Sequence, residues 1–161
     1  MSMLQIIIVS GRSGSGKTAV LNILEDFGFY VIDNLPLSLI GDVIDNLIGN
    51  DTTKVALGVD VRTPKADLSA FPDVYKNLVN QYGDAVKVLY VTAQEAVLVA
   101  RFGATRRVHP LIPIANSLSN ALNKEMELLK PIATHADIKI DTSTLNIHEL
   151  KEKVRQEIGV D

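Results

Sequence analysis

Cysteine is absent from the 161 residues of this chain, which excludes disulfides, thiolate zinc sites and cysteine nucleophiles together and fits a reducing cytoplasm. Long apolar runs are missing as well. The first apolar stretch is broken by Gly11, Arg12 and Lys17, so neither a secretory leader nor a membrane span is expected. Strong positive charge is also lacking. Sixteen basic against nineteen acidic residues leave a formal net charge of −3, unlike a domain that grips nucleic acid through its phosphates alone. There is no internal repeat, low-complexity tract or linker, and His109, His135 and His148 show no metal-ligand spacing. Acidic residues vanish between Glu95 and Glu125, a stretch that holds Arg101, Arg106, Arg107, Lys124 and His109. That local imbalance points to an anion site.

What is present is a core. Hydrophobic residues make up 47% of the chain, enough for one substantial domain at this length. β-branched apolar runs predict strands over residues 4–9, 29–32, 54–61, 85–91 and 137–140. Helical spacing of apolar positions predicts helices over 17–27, 37–48, 71–82, 93–102, 118–133 and 147–158. Gly28 is expected to close the first helix, and Pro36 to open the second. Residues 105–113, with Pro110 and Pro113, lack either period and read as a surface loop, while 63–72 reads as a mobile stretch. Leu118, Leu122, Met126 and Leu129 recur at helical spacing and read as a core-facing stripe. Such βα alternation implies a parallel sheet covered on both faces, with ligands at the carboxyl ends of its strands.

One of those ends carries the strongest signal. Gly11, Arg12, Ser13, Gly14, Ser15, Gly16, Lys17 and Thr18 match the pattern G-x-x-x-x-G-K-[ST] between a β-branched run and an amphipathic helix. The glycines let successive N–H groups turn inward toward an anion. Lys17 is placed to reach phosphate oxygens and Thr18 to offer its hydroxyl to Mg²⁺, while the amino end of the following helix adds its positive dipole. The expected class is therefore α/β, a three-layer α/β/α P-loop NTPase fold with a mostly parallel central sheet, binding ATP or GTP with Mg²⁺.

Two carboxylates compete for the metal. Asp60 ends the run Val55 to Val59 and is the expected supporter of Mg²⁺, although an aspartate at a strand end also serves turns. Asp33 follows Tyr30-Val31-Ile32 and is expected to coordinate the metal, orient a water, or cap the helix after Pro36. Arg106 and Arg107 suit a lid over a triphosphate, because a guanidinium pairs with phosphate oxygens in a bidentate fork. Solvated surface is the alternative for that pair. His109, next to Pro110, reads as a residue that fixes its loop.

The stretch IIIVSGRSGSGKTAVLNILEDFGFYVIDNLP, the later VDVRT and the segment TRRVHPL together resemble the RapZ/YvcJ family of P-loop nucleotide-binding proteins. The resemblance runs from about Ile6 to about Thr142. It implies slow hydrolysis of ATP and GTP, with the nucleotide held at residues 11–18 and at a second segment, Asp60, Val61, Arg62 and Thr63. Thr63 stands where the family usually has asparagine, and Ala104 where it often has an acid. The family continues into a second domain to which RNA binding is attributed in adapter members. The resemblance thus implies an N-terminal domain only, with RNA or protein partners belonging to the full-length parent.

Three functional readings remain open on these residues. The first is a regulatory ATPase/GTPase, slow because no glutamine stands out to orient the attacking water. The second is a small-molecule or nucleotide kinase whose lid excludes water. The third is a signalling module whose nucleotide state changes its affinity for a partner with little turnover.

Overall fold

Five short runs of β-branched and aliphatic residues assemble side by side, all parallel, in a computed structural model that describes residues 3–60, 68–105, 108–115 and 117–159. The strands are β1 (Gln5–Gly11), β2 (Tyr30–Ile32), β3 (Lys54–Val59), β4 (Val86–Thr92) and β5 (Ile138–Asp141). Between them run α1 (Lys17–Asp26), α2 (Ile40–Gly49), α3 (Phe71–Tyr82), α4 (Glu95–Thr105), α5 (Ile112–Ala115), α6 (Leu118–Ala133) and, after β5, α7 (Ile147–Ile158). The sheet order is β2-β3-β1-β4-β5. β1 is therefore central, with Ile7 paired to Ala56 on one side and to Lys87 on the other. The chain leaves β1 toward β3 and β2, then returns past it to β4 and β5. This reversal of strand order opens a crevice at the carboxyl end of β1.

Alternate side chains of each strand feed two separate cores. Ile6, Ile8, Val55, Leu57, Val86 and Val88 pack against Ile40 and Ile44 of α2, Phe71 and Leu78 of α3, and Leu129 and Ile132 of α6. Ile7, Val9, Ala56, Leu89, Val91 and Ile140 pack against Val20, Leu21 and Leu24 of α1, and Leu150, Val154 and Ile158 of α7. The result is the three-layer α/β/α arrangement that the alternation implied. Ile6, Ile7, Ile8 and Val9 are all at most 1% exposed. Each such side chain contributes about 1.5–3 kcal/mol on burial, so the strand that ends at the crevice is firmly held.

The helix ends follow local chemistry. Asn146 Oδ1 accepts from the Glu149 amide at 2.8 Å, and Glu149 Oε1 accepts from the Asn146 amide at 3.0 Å, a reciprocal cap that starts α7. Ser117 Oγ accepts from the Asn120 amide at 3.1 Å and starts α6. The second predicted helix begins as a 3₁₀ turn, Leu37–Leu39, before α2 proper.

Three expectations are corrected. Residues 105–113 are not simply a surface loop: His109 and Leu111 are buried, and α5 starts at Ile112. Within 63–72, Leu68 and Phe71 are fully packed into the first core, while 63–67 lie outside the described residues. On α6, Met126 is 50% exposed and the inward face carries Ala121, Leu122, Glu125, Leu129 and Ile132 instead. Leu122 and Leu129 face inward as expected, and Glu125 takes the inward place expected of Met126, for a reason found at the site.

Candidate functional site

β1 delivers the glycine-rich loop straight into the crevice. Gly11 lies so close to β4 that a Cβ there would come within 2.3 Å of the Val91 carbonyl oxygen. Gly14 and Gly16 then take φ values of 82° and 111°, which turn the chain into α1 at a place where an L side chain is strained. No side chain caps the amino end of α1, and its first turn carries no acid. Its amides and positive dipole end therefore face the crevice.

Lys17 is the meeting point of two carboxylates. Its Nζ lies 2.7 Å from Asp33 Oδ1 and 3.6 Å from Asp60 Oδ2. Asp33 comes from the end of β2 and Asp60 from the end of β3, so three neighbouring strand ends converge on one ammonium. Asp33 reaches it by passing over Gly58, where a Cβ would stand 2.2 Å from Asp33 Oδ1. Asp33 caps no helix: Pro36 precedes the 3₁₀ turn, and neither that turn nor α2 receives a side-chain cap. Its Oδ1 also accepts from the amide of Asn34 at 2.8 Å.

The opposite wall is built by α4 and the segment after it. Arg101 Nη1 donates to the Gly14 carbonyl at 2.9 Å and to Thr142 Oγ1 at 3.0 Å, while Nη2 donates to the Thr142 carbonyl at 2.8 Å. Thr142 Oγ1 in turn donates to the Ser15 carbonyl. The loop is thus clamped to the end of β5 through its own carbonyls. Phe102 supports Gly14 from below, with ring carbon Cε2 3.1 Å from the position a Cβ would take. Gly11, Arg12, Ser13, Gly14, Gly16, Lys17, Thr18 and Asp60 line one side of a pocket of about 400 Å³, and Arg101, Phe102, Val108 and Pro110 line the other.

Beneath the loop lies a charged cluster that sequence reasoning missed. Glu125 of α6 is fully buried; its Oε1 accepts from the Ser13 amide at 2.8 Å and its Oε2 from the Ser13 hydroxyl at 2.5 Å. His109, also fully buried, places Nε2 3.2 Å from Glu125 Oε1, an ion-pair distance without hydrogen-bond alignment. His109 Nδ1 accepts from the Leu111 amide at 3.0 Å, which puts the neutral ring's proton on Nε2, toward Glu125. His109 does fix its loop, as its neighbour Pro110 suggested. Arg12 is 7% exposed and donates from Nη2 to the Leu122 carbonyl at 3.4 Å.

Tyr90 of β4 feels the same cluster. Burial first, then the Glu125 charge, push its phenol from 10.0 up to about 12, against a smaller opposite pull from Arg12. A folded-state value above the unfolded one means that full stability holds below pH 10 and is lost as pH rises toward 12, because the unfolded chain ionises first. Tyr90→Phe is expected to remove this part of the alkaline loss. Melting temperatures of the variant and the parent, compared from pH 9 to 12, should move in favour of the variant only above pH 10.

Of the residues singled out from sequence, Lys17, Asp33 and Asp60 are brought together, and the loop from Gly11 to Thr18 faces the same crevice. Arg101 reaches that site, whereas Lys124 is exposed on α6. Val61, Arg62, Thr63, Arg106 and Arg107 lie outside the described residues. Among the described residues no group of three or more His, Asp or Glu side chains forms a metal cage, and no helix is long and apolar enough to cross a membrane.

A family model for the RapZ-like N-terminal domain matches residues 4–161. The chain belongs to that family. The RapZ-like resemblance seen in the sequence is thereby borne out. A "Nucleotide-binding protein" of Psychrobacter arcticus is 58% identical over 168 residues, covering 98% of this chain and 52% of the relative. A protein of the same description from Hahella chejuensis is 44% identical over 155 residues, covering 94% of this chain and 54% of the relative. The chain thus spans about half the length of the curated relatives it matches.

Solved structures place the RapZ-like domain among P-loop α/β folds. A sugar kinase from Janibacter sp. HTCC2649 superposes with a TM-score of 0.66 at 15% identity, covering 98% of this chain and 95% of that one. A gluconokinase from Sinorhizobium meliloti 1021 gives 0.61 at 19% identity, covering 99% and 94%. At these identities the likeness is one of fold.

Proposed function

We propose that this domain binds one nucleoside triphosphate, ATP or GTP, with Mg²⁺ and hydrolyses it slowly, as the nucleotide-sensing half of a longer protein. The observation that carries the reading is the convergence of Lys17, Asp33 and Asp60 on an uncapped helix end behind a glycine-rich loop. The names of the RapZ-like relatives, nucleotide-binding proteins, support it. On binding, Lys17 would exchange a carboxylate for phosphate oxygens, and the loop amides with the α1 dipole would hold the rest of the anion.

The donor set fits Mg²⁺. Thr18 is exposed at the pocket and Asp60 lines it, so a hydroxyl and a carboxylate oxygen stand beside the loop, the hard ligands that this ion prefers. Bound there, the metal would neutralise phosphate charge. Asp33, once Lys17 has turned to the phosphates, would face the metal or the attacking water, and Arg106 and Arg107, which join α4 to the pocket-lining Val108, would close over the phosphates. Val61, Arg62 and Thr63 follow Asp60 directly and would contact the nucleoside. Any RNA or protein partner would act through the second half of the longer relatives.

Calorimetric titration with ATP, GTP, ADP and GDP in Mg²⁺ tests the reading. One triphosphate per chain is expected, bound more tightly than the diphosphate; absence of heat with every nucleotide overturns it. The kinase-like fold, with Phe102, Val108 and Pro110 beside Arg101 on the far wall of the pocket, favours a second reading, phosphoryl transfer to a small acceptor. A metabolite that raises ATP turnover stoichiometrically would promote it.

A further inference from the structure

The buried acid under the loop has no part in the binding chemistry just described, yet it touches both walls of the pocket. Through Oε1 and Oε2 Glu125 takes the amide and the hydroxyl of Ser13, the third residue of the loop. Through Oε1 it also faces His109, whose other nitrogen holds the Leu111 amide. The segment so held carries Val108 and Pro110, which line the pocket opposite the loop. Isolating a carboxylate from water is costly unless donors replace the lost hydration. Here, among the described residues, the donors to Glu125 belong to the loop, and the His109 ring of the opposite wall stands at ion-pair distance from it. Arg12 of the loop and the neutral phenol of Tyr90 on β4 complete the polar surroundings.

We propose that Glu125 is a positioning residue that links the phosphate loop to residues 108–111, so that filling the loop and placing the opposite wall are one coupled equilibrium. This rests on the nucleotide reading above. The loop cannot shift Ser13 to accommodate phosphates without moving Glu125, and Glu125 cannot move without releasing or dragging His109. A core packed at near-crystalline density transmits such a shift instead of absorbing it. By linkage, whatever the ligand gains from the placed wall, the wall gains from the ligand.

The chain has no tryptophan, and Val108 is 71% exposed, so Val108→Trp introduces a single indole on the segment in question. All comparisons are made within that background, with Mg-ATP as the titrant and calorimetry run in parallel. Saturating nucleotide is expected to change the emission. Adding Glu125→Gln, which keeps the shape and removes the charge, should cut that change at least about fivefold and weaken affinity about tenfold, the usual range for coupled sites. His109→Leu should do the same from the other end. His109→Gln should restore the response, because its amide nitrogen reaches the place of Nε2.

A merely structural role would lower the melting temperature of these variants without uncoupling emission from occupancy, and would not separate Leu from Gln at position 109. Heat of binding together with an emission change untouched by Glu125→Gln and by His109→Leu overturns the link alone. No heat with the unsubstituted protein overturns the nucleotide reading and this one with it. If Glu125→Gln does not fold, the pair of substitutions at His109 decides the matter.

Discussion

Lys17→Ala is expected to weaken binding of Mg-ATP or Mg-GTP about 100-fold, since charge-assisted hydrogen bonds contribute roughly 1.5–3 kcal/mol each. The loss has two parts. The phosphates lose their ammonium, and Asp33 and Asp60 are left facing them with the metal alone to offset their charge, since both now stand within 3.6 Å of Nζ. The second part is repulsive, so replacing Asp33 with asparagine in the same chain should recover some of the affinity. Thermal unfolding without ligand should shift less than the affinity does: the pair with Asp33, 34% exposed, is weak, and the cost comes from Asp60, which is 10% exposed and loses its cation at 3.6 Å. Calorimetric affinities for the single and double variants, set beside their melting temperatures, check both statements. An unchanged affinity in Lys17→Ala would remove the loop from the binding site.

Gly11→Ala is expected to be the most damaging single-methyl change in the fold. The new carbon would meet the Val91 carbonyl at 2.3 Å and the Val91 Cβ at 3.0 Å. The obstacle is backbone: Gly11 and Val91 are register partners in the ladder that joins β1 to β4. Relief requires the two central strands to part just where the loop begins, and Ser15 Oγ, 3.1 Å from the same point, blocks a shift the other way. Overpacking of this kind costs about 3 kcal/mol or more, which for a domain of this size lowers the melting temperature by roughly 10 °C. Nucleotide binding should fall as well, because the strand end that aims the loop is displaced. A melting temperature within about 2 °C of the parent would show that the strands separate at no cost.

Lys17 was legible through the G-x-x-x-x-G-K-[ST] pattern that joins β1 to α1. Asp33 and Asp60 each directly follow a strand, and strand ends can be read from runs of β-branched residues that are nearly continuous because both faces of a parallel sheet are buried. The cover on both faces could be read from the intervening helical periods. Glu125 was not legible. On an isolated helix it reads as surface, and Met126 reads as core; what inverts them is a pair of donors from Ser13, 112 residues away, and the ring of His109. Helical periodicity reports the average cost of burying a side-chain type, and it cannot register a distant partner that offsets that cost. Residues 105–113 failed in the same way: two prolines mask the period, yet His109 and Leu111 go inward because Glu125 and the α6 surface receive them. The role of Asp33 was open on sequence alone, and Gly58 settled its position by leaving room for the carboxylate to cross β3.

An ammonium already claimed by two acids makes the crevice a poor trap for bare anions. Sulfate or inorganic phosphate would have to pull Lys17 away from Asp33 while bringing no cation in exchange. On the nucleotide reading proposed above, a magnesium chelate would arrive with the counter-charge that the two aspartates need once the lysine has turned away. The crevice would thereby discriminate against free oxyanions that carry no metal.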